Sequence, residues 1–128
     1  MSIVYLDTSA ALKLLVQEPE SIAMEQYVSR EGDQLVSSML LFTELHCAAH
    51  RRGGVDLSSV NVLLGGVELV KLVDEDLRTA GLSAWGLRSA DAIHLAAAVR
   101  IEVDAVLTYD AEMGEAVERL GMTWLRVK

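Results

Sequence analysis

Ile3-Val4-Tyr5-Leu6-Asp7 is the stretch that decides the fold. Its apolar residues run on without a break where a half-buried strand would alternate, so Ile3 to Leu6 reads as a central strand covered on both faces. Asp7 ends it. A strand of that kind belongs to a parallel sheet whose crossovers are helices, and the chain beyond it supplies strand and helix in alternation.

Asp7 or Thr8 caps a helix expected through Val16, which stops near Pro19 because the residue before proline is pushed out of helical geometry. A second helix runs from about Glu20 to Arg30, with Ile22, Ala23, Met24 and Tyr27 on its apolar side and Gly32 at its end. Leu35 to Ser38 is a strand, and Met39 to Arg52 a helix ended by Gly53-Gly54, the residue type that tolerates a left-handed C-terminal turn. Next come a helix over Leu57 to Leu64, a strand over Val67 to Val73 and a helix over Glu75 to Ala84. The acids at that start, Asp74, Glu75 and Asp76, read as dipole-favoured and solvated. Ser89 is the expected N-cap of a helix whose residues from Ile93 to Val99 are nearly all apolar, hence buried on most sides. A strand over Ala105 to Thr108, a helix over Ala111 to Leu120 ended by Gly121, and a strand over Thr123 to Val127 complete the chain. The expected architecture is a three-layer α/β/α sandwich with a central, mainly parallel sheet of four to five strands, in a single domain over residues 1–128.

Composition agrees. The chain has 128 residues, 52% hydrophobic and 23% charged, with one proline, which suits a compact domain and excludes a disordered segment. No apolar run approaches membrane-spanning length, and Met1 leads almost at once into the first strand in place of a charged leader, so a cytoplasmic protein is expected. Cys47 is the only cysteine, which excludes an intrachain disulfide and a cysteine metal site; it reads as a small core residue. A net charge of -8 argues against a generic nucleic-acid coat. It fits equally with acidic outer helix faces and with carboxylates gathered for a cation.

Position separates these. In parallel sheets, sites form at the carboxyl ends of the strands. Asp7 directly follows the first strand, and Asp110 follows the Ala105 strand with Tyr109 before it. Each also has a reading as a helix N-cap. Glu44 has Leu40, Leu41, Cys47 and Ala48 as its neighbours at three and four residues, which puts its carboxylate in an apolar stripe, bound there to an arginine such as Arg51 or Arg88, or to something else. Asp91 opens the buried Ser89 helix, where the dipole alone accounts for an acid. Together these carboxylates repel one another unless protons or a cation neutralise them, and all-oxygen ligation suits Mg2+ or Mn2+ and phosphodiester hydrolysis by activated water. No nucleophile elbow or phosphate-binding glycine loop competes. His46 and His50 read as polar-face residues. His94 reads as a satisfied core histidine, with orientation of Asp91 or substrate contact as the alternatives.

These residues resemble a known family, the PIN-domain ribonucleases, and within it the VapC-type toxins of prokaryotic toxin-antitoxin pairs. Tyr5-Leu6-Asp7-Thr8-Ser9-Ala10 is similar to the family's first motif, Val36-Ser37-Ser38 followed by Thr43-Glu44-Leu45 to its second, Ser89-Ala90-Asp91-Ala92-Ile93-His94-Leu95-Ala96 to its third, and Leu107-Thr108-Tyr109-Asp110 to its fourth. Four motifs in order, over essentially the whole chain, are specific where one alone is not. The segment Met122 to Lys128 departs from the pattern in lacking a proline near the last strand. The resemblance implies a metal-dependent endoribonuclease in which Asp7, Glu44, Asp91 and Asp110 gather Mg2+ or Mn2+, with Thr8, Ser9 and Thr108 as supporting hydroxyls. It further implies products with a 5'-phosphate and a 3'-hydroxyl, a homodimer, and a cognate VapB-like antitoxin whose C-terminal segment covers a groove leading to the acids.

The first two helices are richer in apolar residues than one buried face needs (Leu12, Leu14, Leu15, Val16, Ile22, Met24, Tyr27 and Val28), with Trp85 a further candidate, so a protein interface is expected there. Basic groups near the motifs that an RNA could meet are Lys13, Arg51, Arg52 and Arg88, with His94 as a further contact. Two other readings stand beside this one: a receiver-like domain that binds Mg2+ beside Asp7 and accepts phosphate on an Asp after the third strand, and a catalytically silent PIN-like binding module.

Overall fold

In the computed structural model, which describes residues 2–30, 32–51 and 53–128, the Ile3 strand occupies the centre of a five-stranded, wholly parallel sheet. The strands are β1 (Ile3–Leu6), β2 (Gln34–Ser38), β3 (Glu68–Val70), β4 (Ala105–Leu107) and β5 (Thr123–Leu125), in the order β3-β2-β1-β4-β5. Between them lie α1 (Thr8–Leu12), α2 (Ser21–Ser29), α3 (Met39–Arg51), α4 (Leu57–Gly65), α5 (Asp74–Leu82), α6 (Ser89–Ile101) and α7 (Ala111–Arg119). Val4 stands between Leu35 and Ala105, and Tyr5 between Val36 and Val106. Strands β3 and β5 are shorter than expected, and helix α1 stops at Leu12, with a turn carrying the chain on to Pro19.

The pleat of β1 divides the core. Val4 and Leu6 face a cluster with Ala10, Met24, Leu41, Leu45 and Val60, from helices α1 to α4, while Tyr5 faces Leu95, Ala97, Ala98, Met113 and Val117, from α6 and α7. Burying each large aliphatic of this set contributes about 1.5–3 kcal/mol. Helix α6 is buried on most sides, as its apolar run predicts: Ala92 and the unbroken run His94 to Ala98 are inaccessible.

Several expectations are corrected. Helix α2 turns Met24 and Tyr27 inward, so Ile22 lies on its outer face at 63% exposure. The buried side of α3 runs through Leu41 and Leu45, with Ala49 packed against them, which rotates Cys47 out to the surface. The N-cap position of α6 belongs to Arg88, with Ser89 inside the first turn. Gly53 and Gly54 are not in the left-handed region, whereas Gly32 and Gly121 are; Arg52, expected in the last turn of α3, lies outside the described residues. Asp76 is buried, at 1% exposure, and not solvated. The Arg100 guanidinium reaches it through Nε at 2.8 Å and Nη2 at 3.0 Å and also donates to the Lys71 carbonyl, clamping α5 to α6. Burial pushes the Asp76 carboxyl up, but Arg100 and the Val73 N–H outweigh it and hold the group below the usual carboxylate range.

At the far edge of the sheet, α7 packs so closely on β5 that a Cβ on Gly114 would lie 2.0 Å from Trp124 Cε2. The indole is not free to yield, since its Nε1 donates to the Thr108 carbonyl at 3.1 Å and Arg126 stacks on it at 4.0 Å. Gly114→Ala is therefore expected to cost about 1–3 kcal/mol in urea unfolding, and the added change Trp124→Leu to recover part of that loss. An unchanged midpoint in the single variant would show that the indole moves aside without cost.

Candidate active site

Strand order reverses direction about β1 and β4, so the crevice at their carboxyl ends is where this topology binds ligands. Asp7 leaves β1 there, at 2% exposure. It occupies the N-cap position of α1, yet its side chain does not cap that helix. Instead Asp7 Oδ2 accepts from Thr108 Oγ1 at 2.7 Å and Ser9 Oγ at 2.9 Å. Those hydroxyls in turn accept from the Asp110 and Tyr109 backbone N–H groups at 3.1 and 2.9 Å, which ties the ends of β1 and β4 together. Asp110 is a true N-cap: its Oδ1 accepts from Met113 N at 3.1 Å.

Glu44 arrives from the other face of the sheet, on the border of the apolar stripe of α3. Its Oε1 accepts from Thr8 Oγ1 at 2.6 Å and meets His94 Nε2 at 2.5 Å. The partner is thus a histidine from α6 and not the arginine considered from the sequence; Arg51 and Arg88 form no ion pair with a described residue. His94 is fully buried, which corrects its expected contact with RNA, and it orients Glu44 and not Asp91. Its Nδ1 stands 2.6 Å from the Tyr5 hydroxyl, which donates to Ser38 Oγ at 2.9 Å. Burial pushes the Glu44 carboxyl up, but the His94 and Thr8 hydrogen bonds overcome this and hold it below its usual range. Tyr5 and Ser38 were not singled out from the sequence, although a tyrosine inside a central strand must find a partner for its hydroxyl.

Asp91, in the first turn of α6, is partly buried and makes no hydrogen bond with a described residue. Its carboxyl is pushed up to about 6, first by burial and then by the charges of Asp7 and Asp110, with Glu44 adding to them and His94 opposing. The four carboxylates therefore share one electrostatic neighbourhood. Each keeps at least one oxygen without a hydrogen-bond partner among the described residues: the donors to Asp7 converge on Oδ2 and those to Glu44 on Oε1, Asp110 uses Oδ1 alone, and Asp91 is unbonded. Excess negative charge and unengaged hard oxygen donors suit a divalent cation. Among the described residues, no three such side chains stand close enough together to enclose an ion.

The remaining candidates lie around this set. Thr8, Ser9 and Thr108 are the hydroxyls that bond the carboxylates. Arg88 lines a cleft of 340 Å3 with Asp91, Asp110 and Glu112. Lys13, expected to be available to RNA, pairs with Glu20 at 2.6 Å and Glu18 at 3.2 Å. A wider groove of 460 Å3, lined by Leu14, Leu15, Val28, Leu35, Val62 and Leu63, is apolar and holds none of the carboxylates. It accounts for part of the surplus apolar surface of the first two helices.

The raised carboxyl of Asp91 has a sign that can be tested. Because its folded-state value of about 6 lies above the ordinary 3.8, the folded protein binds the proton more tightly, so ionising Asp91 destabilises the fold as pH rises through that window. In chelator, Asp91→Asn is expected to melt at a higher temperature than the parent above about pH 6, the difference closing below about pH 4. A constant difference across the range would mean that repulsion is not its cause.

A PIN domain model matches residues 4–118. Ribonuclease VapC46 of Mycobacterium tuberculosis (strain ATCC 25618 / H37Rv) is 39% identical over 125 residues, covering 95% of this chain and 95% of the relative. Ribonuclease VapC47 of strain CDC 1551 / Oshkosh is 34% identical over 125 residues, covering 92% of each. The same fold is found in VapBC2 from Rickettsia felis bound to a promoter DNA fragment, with a TM-score of 0.72 over 98% of this chain and 99% of that one at 14% identity. It is found again in VapC20 of M. tuberculosis, a Sarcin-Ricin loop cleaving toxin, with a TM-score of 0.71 over 88% and 94% at 13% identity. With a family model spanning most of its length and a relative aligned end to end, the chain belongs to the PIN-domain family, in its VapC branch.

Proposed function

We propose that residues 1–128 act as one PIN-like nuclease domain, a divalent-metal-dependent endoribonuclease that is the toxin of a VapBC-like pair. The observation that carries this reading is the convergence of Asp7, Glu44, Asp91 and Asp110 from both faces of the sheet on its carboxyl edge, each presenting an oxygen with no partner among the described residues. These four would hold Mg2+ or Mn2+. When bound, such an ion supplies a Lewis acid for the phosphodiester and an activated water for in-line attack.

The chain's own residues prepare that site. Ser9 and Thr108 fix one oxygen of Asp7 and so aim the other. Thr8 and His94 do the same for Glu44, and the His94 ring is itself held by Tyr5 and Ser38. The Met113 N–H anchors Asp110. Asp91 is left as the unbonded acid, and its charge is the one that most lacks compensation. A receiver-like domain is not supported: β3 is an edge strand, separated from β1 by β2, so an acid following it does not stand beside Asp7.

Solved structural neighbours that are VapBC assemblies support a VapB-like antitoxin as partner, and the 460 Å3 apolar groove is a fitting seat for it. A homodimer and a cytoplasmic location belong to the same reading, and no helix among the described residues is long and apolar enough to cross a membrane.

Asp7→Asn and Asp91→Asn are each expected to lower Mg2+-dependent RNA cleavage by at least about a hundredfold, the scale of losing one preorganised electrostatic group, with the fold retained in chelator. If either variant cuts RNA like the parent and stops in chelator like the parent, the assignment fails. Asp110 separates structure from chemistry in the same assay. Asp110→Asn preserves a capping oxygen and should lose cleavage with little stability, whereas Asp110→Ala should also lose about 0.5–2 kcal/mol.

A further inference from the structure

The carboxylates are flanked by two clefts, one on each face of the sheet. The first, of 340 Å3, lies between α6 and α7 and holds Arg88. The second, of 360 Å3, lies between α1 and α3 and is lined by Thr8, Leu12, Glu44, Cys47, Ala48 and Arg51. Glu44 thus belongs both to the carboxylate set and to the second cleft, so the cleft opens directly from the site. Among the described residues its one cation is Arg51. Glu44, Cys47, Ala48 and Arg51 follow one another at helical spacing along a single stripe of α3, and seven residues of helix advance about 10 Å. Side chains on a helix lean toward its N-terminus, which for Arg51 is the direction of Glu44, and both line the same cleft.

Charge makes the placement informative. An RNA strand approaching a protein of net charge -8 needs local cations that are not already neutralised. Lys13, beside α1, is held by Glu18 and Glu20, and Arg100 is held by Asp76. Arg51 and Arg88 are exposed and form no ion pair with a described residue, and each stands in a cleft that ends at the carboxylates. A strand crossing the sheet edge from one face to the other passes from one arginine to the other over the four acids.

We propose that Arg51 binds an RNA phosphate beside the scissile one in the cleft between α1 and α3, while Arg88 holds the strand on the opposite face. This rests on the nuclease reading. Arg51 is a binding and positioning residue, not a catalytic one. Guanidinium suits the task because it offers several donors to phosphate oxygens in a fixed plane. A cation in the last turn of α3 also interacts favourably with the helix dipole, an effect that has no dependence on RNA.

The test uses a labelled single-stranded RNA oligonucleotide, with binding followed by fluorescence anisotropy in chelator and cleavage followed in Mg2+. For Arg51→Gln we expect weaker binding by about three- to tenfold at low salt, and a plot of log affinity against log salt shallower by about 0.7, the value of one lost single-strand phosphate contact. In Mg2+ the same loss should appear in KM, with kcat within about twofold of the parent. Arg51→Lys should keep the parental salt slope. Cys47, exposed in the same cleft, serves as a probe: carboxymethylation with iodoacetate should weaken RNA binding more than neutral carbamidomethylation with iodoacetamide. An unchanged slope and KM in Arg51→Gln overturns the proposal, as does an equal effect of the charged and neutral labels or a parent that binds no RNA. A parent that binds RNA through Arg51 but does not cut it in Mg2+ or Mn2+ overturns the nuclease reading and leaves the phosphate site standing.

Discussion

Like charges do not gather unaided, and the repulsion among Asp7, Glu44, Asp91 and Asp110 is the constraint around which the polar interior of this protein is arranged. The response is consistent across both faces of the sheet. Asp7 at the end of β1 and Glu44 on α3 are each gripped at one oxygen by two donors, and those donors are themselves held: Thr108 and Ser9 by the backbone of the Tyr109-Asp110 turn, His94 by Tyr5, whose hydroxyl in turn donates to Ser38. At Glu44 these hydrogen bonds outweigh burial and hold the carboxyl below its usual range. Asp91 receives no such bond, and it is the acid whose carboxyl moves up. Burial first, and then the charges of Asp7 and Asp110, fall on the carboxylate with the fewest restraints.

The sheet makes this convergence possible. With β1 between β2 and β4, the β2-to-β3 crossover and the β3-to-β4 crossover lie on opposite faces of the sheet, so a helix from one face (α3) and a helix from the other (α6) both reach the edge where Asp7 emerges. The contact of His94 with Glu44 joins those faces across the top of β1. Tyr5 contributes from beneath: its ring packs with Leu95 and Val106, while its hydroxyl supports the histidine. One residue of the central strand thus serves the core and the site together.

This division explains what could be read from the sequence. Strand ends and helix starts are local features, so the positions of Asp7, Asp110 and Asp91 followed from period and punctuation, and Glu44 followed from its apolar neighbours. Partners far apart in the sequence leave no local mark. His94, 50 residues from Glu44, was assigned to the wrong acid, and Arg100, 24 residues from Asp76, was missed, whereas Thr108, 101 residues from Asp7, came into view only through the resemblance to a family. Cys47 and Ile22 failed for a related reason: an apolar residue near the edge of a stripe is turned in or out by a few tens of degrees of helix rotation, which the spacing alone does not set.

Helix α6 shows why its alanines matter as much as its acid. Ala92, Ala96, Ala97 and Ala98 are buried against the sheet and α5, and short side chains let the helix lie close to both. Its far end is clamped by the Arg100 to Asp76 ion pair, whose removal on one side would strand a buried charge at a cost of several kcal/mol. Its middle is fixed by His94. Asp91, at the near end, therefore sits on a helix that cannot retreat from Asp7 and Asp110 to relieve their repulsion. A helix free to slide would separate the charges; one pinned at two points keeps them together and leaves a cation or a proton as the means of relief.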